Sequence, residues 1–404
     1  MDSISKIFRG DRVIWMLFIT LCLISIVEVY SASSMLTFRT SYWYPILKHT
    51  GFLLLGMVVV LVVHSINPKY FWILVIMLPF IWVLLIATQF MGKTINEAKR
   101  FLFGFQPSEI AKICLIACVA FILSRQKDRN SEDASFKWIW ILSTLTCVLI
   151  LRDNFSTAAL LYCVIGVMMF IGQVPFRKFK IFIIATVAFI ALLFSIILFL
   201  PETAKEIGLT RGVMWVERIN NHQKKPDISK GEKIPDEVFQ EVMAKIAVAR
   251  GGVVGQLPGN SQQSNLLPQA YSDFIYAIIV EETGIIGGIV VLFLYVFLFI
   301  RSGTIAGRCT KLFPKYLVMG CALMLVVQAF INMAVSVGLI PVTGQPLPLV
   351  SKGGTSILTT CVFFGIILSV SRFDNPRGIK HDIIIEEEFE EEKRLANEDE
   401  SFDE

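Results

Sequence analysis

Hydrophobic residues run along this chain in ten blocks separated by polar breaks, most of them close to the roughly 20 residues that a bilayer asks of a helix. The blocks fall at 13–31, 46–64, 71–92, 107–124, 138–151, 156–173, 179–200, 274–300, 315–340 and 353–371. The fifth is short, and Arg152 and Asp153 follow it at once. The pattern predicts an all-α integral membrane protein of about ten transmembrane helices. Nothing after the first block resembles a signal-peptide cleavage site, so that block is expected to stay as an anchor. Two segments break the rhythm. The stretch 201–273 is far longer than a connector and mixes both signs of charge. Within it, Glu237 to Arg250 reads as a helix, and Val238, Met243, Ile246 and Ala249 form an apolar stripe expected to rest on the membrane surface. The segment 372–404 has no apolar pattern and reads as a disordered acidic tail beside the membrane domain 1–371.

Composition agrees and adds a direction. The chain is 55% hydrophobic and 17% charged with 32 phenylalanines, which excludes a soluble globular domain. The net charge of +4 hides an asymmetry: the tail from Arg372 onward carries 13 acidic and 5 basic residues, so the membrane body is strongly basic. Such a body suits anionic lipid and an anionic substrate; no nucleic acid is expected as a partner. Basic residues concentrate in alternate short loops, with Arg125, Lys127, Arg129, Arg177, Lys178 and Lys180 among them. By the positive-inside rule both termini are cytoplasmic and 201–273 lies outside. Lys93, Lys99 and Arg100 cluster on the outer side against that rule. The eight cysteines form no CxxC pair and the four histidines no HExxH, so a metal site cannot be assigned.

Four stretches carry chemistry that simple partition does not explain. In Gln106-Pro107-Ser108-Glu109-Ile110-Ala111-Lys112, proline opens a helix and Glu109 and Lys112 share a face. The pair either fixes helix packing or serves a site, and spacing leaves both open. Lys99-Arg100 reads as headgroup contact or as a phosphate ligand, since arginine presents a fork matched to phosphate oxygens. Asp273, between the polar loop and an apolar helix, is in the ordinary reading an N-cap. The same boundary also lets a carboxylate face water on one side and low dielectric on the other. Glu281 and Glu282 lie two turns deeper and need partners. Last, Asn332 followed by the proline- and glycine-rich run Gly338 to Ser356 forbids regular helix, so its backbone must line a cavity or be buried in protein.

These stretches together resemble the SEDS family (shape, elongation, division and sporulation) of polytopic peptidoglycan glycosyltransferases. Gln106–Lys112 is similar to its QPSE element. Leu267-Pro268-Gln269-Ala270, Ser272-Asp273-Phe274 and Glu281-Glu282-x-Gly284 are similar to its LPEA, TDF and EE-x-G block, and Asn332–Ser356 to its signature. The Pro-Val-Thr-Gly-Gln-Pro-Leu-Pro and Ser-Lys-Gly-Gly-Thr-Ser forms resemble the division branch, FtsW, in its Bacteroidota type, more than the elongation branch, RodA. Lys352 stands where the family has tyrosine, Phe101 where it has tryptophan, Gln345 where it has an aliphatic residue, and 152–157 is a degraded PD-x-GTA.

The resemblance implies polymerisation of lipid II into glycan strands during septal wall synthesis in the cytoplasmic (inner) membrane. It implies Asp273 as catalytic base, with Lys99, Arg100, Gln106, Ser108, Glu109, Lys112, Glu281, Glu282, Ser351, Lys352 and Gly353 toward the substrate. Because an aspartate of ordinary pKa is a weak base, it implies either burial of that carboxylate or a divalent cation, Mg or Mn. The implied partners are a class B penicillin-binding transpeptidase and other divisome membrane proteins. A lipid II flippase, with a polar path through Glu28, Glu109, Lys112, Glu281, Glu282, Gln328 and Asn332, and a non-catalytic divisome scaffold are the alternatives.

Overall fold

A computed structural model describes residues 8–32, 44–95, 98–102, 104–126, 129–152, 154–199, 212–214, 216, 218, 236–267 and 270–373. The chain is a multi-pass helical membrane protein. Among the described residues, nine helices are long and apolar enough to cross a bilayer, and a tenth apolar helix has 17 residues. In chain order they are α1 (Arg12–Ser31), α2 (Tyr44–Ser65), α3 (Ile73–Met91), α4 (Pro107–Ser124), α5 (Arg129–Leu151), α6 (Phe155–Ile171) and α7 (Phe176–Phe199). After the long loop, whose helix is α8 (Asp236–Gly251), come α9 (Ile275–Arg308), α10 (Leu312–Ser336) and α11 (Gly354–Phe373). Of the proposed tail, 374–404 lies outside the described residues, as do Pro268, Gln269 and Asp153, while its first two residues end α11.

Burial sorts the helices into an inside and an outside. In the membrane-length windows of α4, α10 and α11, 78%, 72% and 72% of residues are buried, against 11% in α7, so the first three form the interior. Without water between them, membrane helices gain little from apolarity and approach through small residues instead. A Cβ on Gly56 of α2 would sit 2.6 Å from the Cys361 sulfur of α11, and one on Gly365 of α11 would sit 2.7 Å from the Val63 Cβ of α2. These glycines set the closeness of the α2–α11 pair.

Several boundaries differ from the hydropathy reading, each for a local reason. The fifth helix begins at Arg129 rather than 138, because its polar first turns continue the helix beyond the apolar block and Asp133 pairs with Lys178 in the first turn of α7. Helix α9 runs 34 residues in two parts, and the part after Gly284 is by itself long enough to cross a hydrocarbon core of about 30 Å. It bends at Gly284, whose φ of 72° only glycine adopts readily. There the chain meets the turn after α8: Gln256 and Leu257 donate their N–H groups to the carbonyls of Glu281 and Glu282, at 3.0 and 2.8 Å. Between α3 and α4 the chain forms an unforeseen hairpin, β1 (Lys93–Ile95) and β2 (Ala98–Phe101). Lys93 pairs with Phe101 and Thr94 with Lys99, so Arg100 is the extra residue of a bulge.

Helix α8 confirms the helical reading of the loop and corrects its orientation. It buries Val238, Glu241, Ala244 and Ala247, a face one step round from the expected stripe, and packs that face on α9 and α10. Ala249 is exposed and Met243 and Ile246 are half-buried. Burial against protein, where small alanines allow close contact, decided the face.

At the opposite end of the bundle, Asp11 caps α1 by accepting the N–H groups of Val13 and Ile14 at 3.0 and 3.2 Å. The same carboxylate holds Arg301 of α9 at 2.7 Å, and its backbone N–H donates to Ser371 of α11 at 3.0 Å. Asp11→Ala is expected to cost about 2 kcal/mol, a lost cap plus an unpaired arginine. Asp11→Asn, which retains a capping oxygen, should cost about half of that. Thermal midpoints in detergent check the order; equal midpoints for the two variants would contradict the shared role.

Candidate functional site

The site forms where the α9 start meets the irregular segment between α10 and α11. Asp273 does not cap α9. The N-cap position is Phe274, with φ −115° and no side-chain cap bond, so the capping reading of Asp273 fails. Instead the backbone just before α9 is held by other segments. The carbonyl of Tyr271 accepts the Lys352 N–H at 2.9 Å. That of Ser272 accepts the Ser351 hydroxyl at 2.6 Å, and that of Asp273 accepts the Asn332 amide at 2.9 Å. Three consecutive carbonyls that no helix could satisfy are thereby paired, as burial at membrane depth demands. The Asp273 carboxylate is left facing a cavity, with the Ser272 hydroxyl on Oδ1 at 3.0 Å.

The partner segment is built the same way. Helix α10 stops at Ser336, and Gly338 (φ 75°) turns the chain out of it. From there several backbone carbonyls find a side-chain donor. Asn332 donates to the Gln345 carbonyl at 2.8 Å, Gln328 to Pro346 at 2.9 Å, and Tyr295 to Pro348 at 2.5 Å. Ser156 donates to Thr343 at 2.8 Å, while Gln345 donates to the Thr157 hydroxyl at 3.0 Å. The Ser351 hydroxyl also accepts the Leu347 N–H at 2.7 Å, so one side chain joins both halves of the site. Gln345, a departure from the family pattern, is thus tied to 152–157, the other departing stretch.

The cavity is about 660 Å³. Asp273 and Ser272 line one wall and Lys352 with the Gly353–Ser356 opening of α11 another; Gln106, Phe101 and Phe52 complete it. Lys352 lies over the Tyr271 ring, 4.8 Å from its centre. Burial, and then the charge of Lys48, hold the Lys352 ammonium below the ordinary lysine pKa. Burial and the neighbouring Asp273 charge push the Tyr271 phenol up, so that ring stays neutral beneath the lysine.

The cavity gathers only part of the expected set. Asp273, Gln106, Lys352 and Gly353 line it. Ser108 stands behind Gln106, whose amide donates to it at 2.9 Å. Ser351 supports from below. Glu109 and Lys112 form a buried pair at 2.9 Å, one turn further along α4 and away from the lining. Glu281 and Glu282 are fully buried and are also elsewhere. Glu281 accepts the Ser261 hydroxyl at 2.5 Å and Glu282 that of Ser31, whose oxygen in turn accepts the Gly259 N–H at 3.1 Å. They anchor the loop after α8 and do not reach the cavity. The backbones of Lys99 and Arg100 lie in β2, and their side chains fall outside the described residues.

Sequence reasoning passed over two lining residues, Arg218 and Gln240. Arg218 donates to the Val342 carbonyl at 2.8 Å and brings a second cation to the cavity. It sits in the long loop, where mixed charge gave no periodic signal; only its guanidinium within an outer loop pointed to anion chemistry.

Among the described residues no group of three His, Cys, Asp or Glu could hold a metal ion. Among the described lining residues the one carboxylate is that of Asp273, which fits an ion shared with a substrate's phosphates.

The family model described as cell cycle protein, covering FtsW, RodA and SpoVE, matches residues 11–376. The chain is 32% identical over 367 residues to the probable peptidoglycan glycosyltransferase FtsW of Saccharophagus degradans, covering 86% of this chain and 89% of that one. It is 30% identical to the same-named protein of Geobacter sulfurreducens, with 91% and 97% covered. The fold is similar to the rod shape determining protein RodA of Thermus thermophilus, with a TM-score of 0.63, 22% identity and coverage of 90% and 97%. It is also similar to a chain from a peptidoglycan synthase complex that coordinates polymerization and crosslinking, with a TM-score of 0.69, 23% identity and coverage of 91% and 99%.

Proposed function

The chain belongs to the cell cycle protein family of FtsW, RodA and SpoVE, and from that premise we propose that it is a peptidoglycan glycosyltransferase polymerising lipid II at the Asp273 cavity. The observation that carries the siting is the threefold pinning of the Tyr271–Asp273 backbone, which fixes a carboxylate in a cavity flanked by two cations.

The chemistry follows from that geometry. An acceptor sugar hydroxyl attacks the anomeric carbon of the donor; the new C–O bond forms as the bond to undecaprenyl pyrophosphate breaks. Asp273 takes the hydroxyl proton in the transition state. Negative charge grows on the departing pyrophosphate, and Lys352 and Arg218 with the first N–H groups of α11 stand ready for it without reorganising. A Mg²⁺ or Mn²⁺ ion held by Asp273 would supply Lewis-acid polarisation of that pyrophosphate. Lys99 and Arg100 stand in the β2 strand beside Phe101, and they remain candidates for contact with the pyrophosphate. With the positive-inside orientation, the cavity and loop 201–273 face outward from the inner membrane and both termini face the cytoplasm. A single-span transpeptidase of the class B penicillin-binding type and the division septum fit the FtsW relatives. Of the residues offered for a flippase path, Gln328 and Asn332 donate to backbone carbonyls, Glu109 and Lys112 pair with each other, and Glu281 and Glu282 accept serine hydroxyls.

The test is synthesis of glycan ladders from fluorescent lipid II by the purified chain with its transpeptidase. An intact complex that moves lipid II across vesicles and makes no ladder would replace this reading with transport. The same assay gives a pH prediction. The ammonium that faces pyrophosphate is lost at lower pH than an ordinary lysine would allow, so the alkaline limb of kcat/KM should fall below the usual lysine range. Lys48→Gln removes one cause and should move the limb upward, and Lys352→Arg should remove it. A limb that stays put in Lys352→Arg belongs to another group.

A further inference from the structure

We propose that Ser25 and His49, both buried and outside the cavity, are positioning residues for Lys352, and so set how tightly the site holds the pyrophosphate end of its substrate. The proposal rests on the reading of the cavity given above.

The segment that delivers Lys352 is strained. Leu349 has a φ of 69°, in the left-handed region that a branched, buried side chain rarely adopts. Such a residue persists only where its surroundings over-determine it. On its N-terminal side, Tyr295 holds the Pro348 carbonyl. On its C-terminal side, the Val350 carbonyl accepts the hydroxyl of Ser25 of α1 at 2.8 Å. The Ser25 oxygen also lies 2.8 Å from Nε2 of His49 of α2. Ser25 has one hydrogen, and the Val350 carbonyl has none to offer, so that hydrogen goes to Val350. His49 must then donate from Nε2, which fixes its tautomer and aims the serine hydroxyl. His49 is 2% exposed and Ser25 fully buried, so water cannot replace either bond. One turn along α2, Phe52 lines the cavity and presses on Gly354 at the α11 start. Helix α2 thus reaches the residues on both sides of Lys352, through His49 and through Phe52.

The chain His49 to Ser25 to Val350 ends two residues from the lysine, whose own N–H is held by Tyr271. Release of Val350 lets the Leu349 strain relax and leaves Lys352 held only from its own side, by Tyr271 and through the neighbouring Ser351. The chemistry at Asp273 is untouched, because the Ser272 and Asp273 carbonyls keep Ser351 and Asn332. The expected signature is therefore weaker substrate binding with little change in turnover.

The experiment is a double-mutant cycle on the complex with its transpeptidase, using fluorescent lipid II. His49→Phe should raise KM about tenfold with kcat within about twofold, and His49→Gln, whose amide can replace Nε2–H, should recover most of the loss. In the Lys352→Ala background, His49→Phe should change KM by less than about twofold. A full loss that persists in that background, or a fall in kcat alone, overturns the proposal. Hydrogen exchange of the 347–353 segment is the arm that needs no turnover. His49→Phe should speed exchange of the Ser351 and Lys352 amides and His49→Gln should not; unchanged exchange also overturns it. If His49→Phe fails to fold, Ser25→Ala takes its place with the same readouts. A wild-type complex that makes no glycan refutes the function assigned above, and the exchange arm still decides the positioning.

Discussion

Asp273→Asn should abolish glycan ladders, lowering kcat by about 10²- to 10⁴-fold with KM for lipid II nearly unchanged. The substitution keeps the shape of the side chain, an oxygen for the Ser272 hydroxyl and all three backbone bonds that position residues 271–273. What it removes is the capacity to accept a proton. A loss in kcat is therefore the mark of a group used only in the transition state. Asn332→Ala supplies the contrast. It frees the Asp273 and Gln345 carbonyls together, so it should lower both activity and thermal stability. Ladders of normal length and rate from Asp273→Asn would remove the carboxylate from the mechanism and return the site to the question of what the pocket binds.

The second large effect is on the fold. Lys112→Met should destabilise the protein by about 3–5 kcal/mol, because it strands the Glu109 carboxylate in the interior of the bundle. The lysine side chain is 2% exposed and the glutamate 12%, with 2.9 Å between them. At that burial neither charge has water to fall back on, so the pair is held together by the penalty of separation. The double variant Glu109→Gln, Lys112→Met removes both charges and should return most of the stability. Thermal unfolding in detergent separates the two cases. A Lys112→Met protein within about 1 kcal/mol of wild type would mean that Glu109 is neutral or otherwise solvated. Activity should track stability across this series, since the pair stands behind the cavity wall and Gln106 and Ser108 are what α4 presents toward it.

Glu109 and Lys112 stand out in the sequence because ionisable residues at membrane depth are costly. The cost is met within the pair. The same holds for Glu281 and Glu282: adjacent acids on a helix need partners, and they find Ser261 and Ser31 on segments that no spacing rule connects to them. Asp273 went the other way. Its position favoured a cap, and the structure starts α9 one residue later without it.

By itself, the order of apolar and polar residues determined the ten-helix membrane architecture, the helix start at Pro107, a helix within the long loop, and the irregular course of 338–353. These are local properties. A run of apolar side chains partitions into lipid whatever its neighbours do, and proline and glycine constrain their own backbone wherever they stand. Tertiary structure alone decided which face α8 buries, that Arg218 joins the cavity, and that Glu281 and Glu282 serve the loop. It also decided that Asp273 faces open volume, because three carbonyls are claimed by Lys352, Ser351 and Asn332. Those bonds join residues tens to hundreds of positions apart, 79 for Ser351 to Ser272 and 325 for Ser25 to Val350. Inside a membrane each unmet backbone group is costly, so irregular segments fold by finding one another's partners, and that pairing is a property of the assembled bundle.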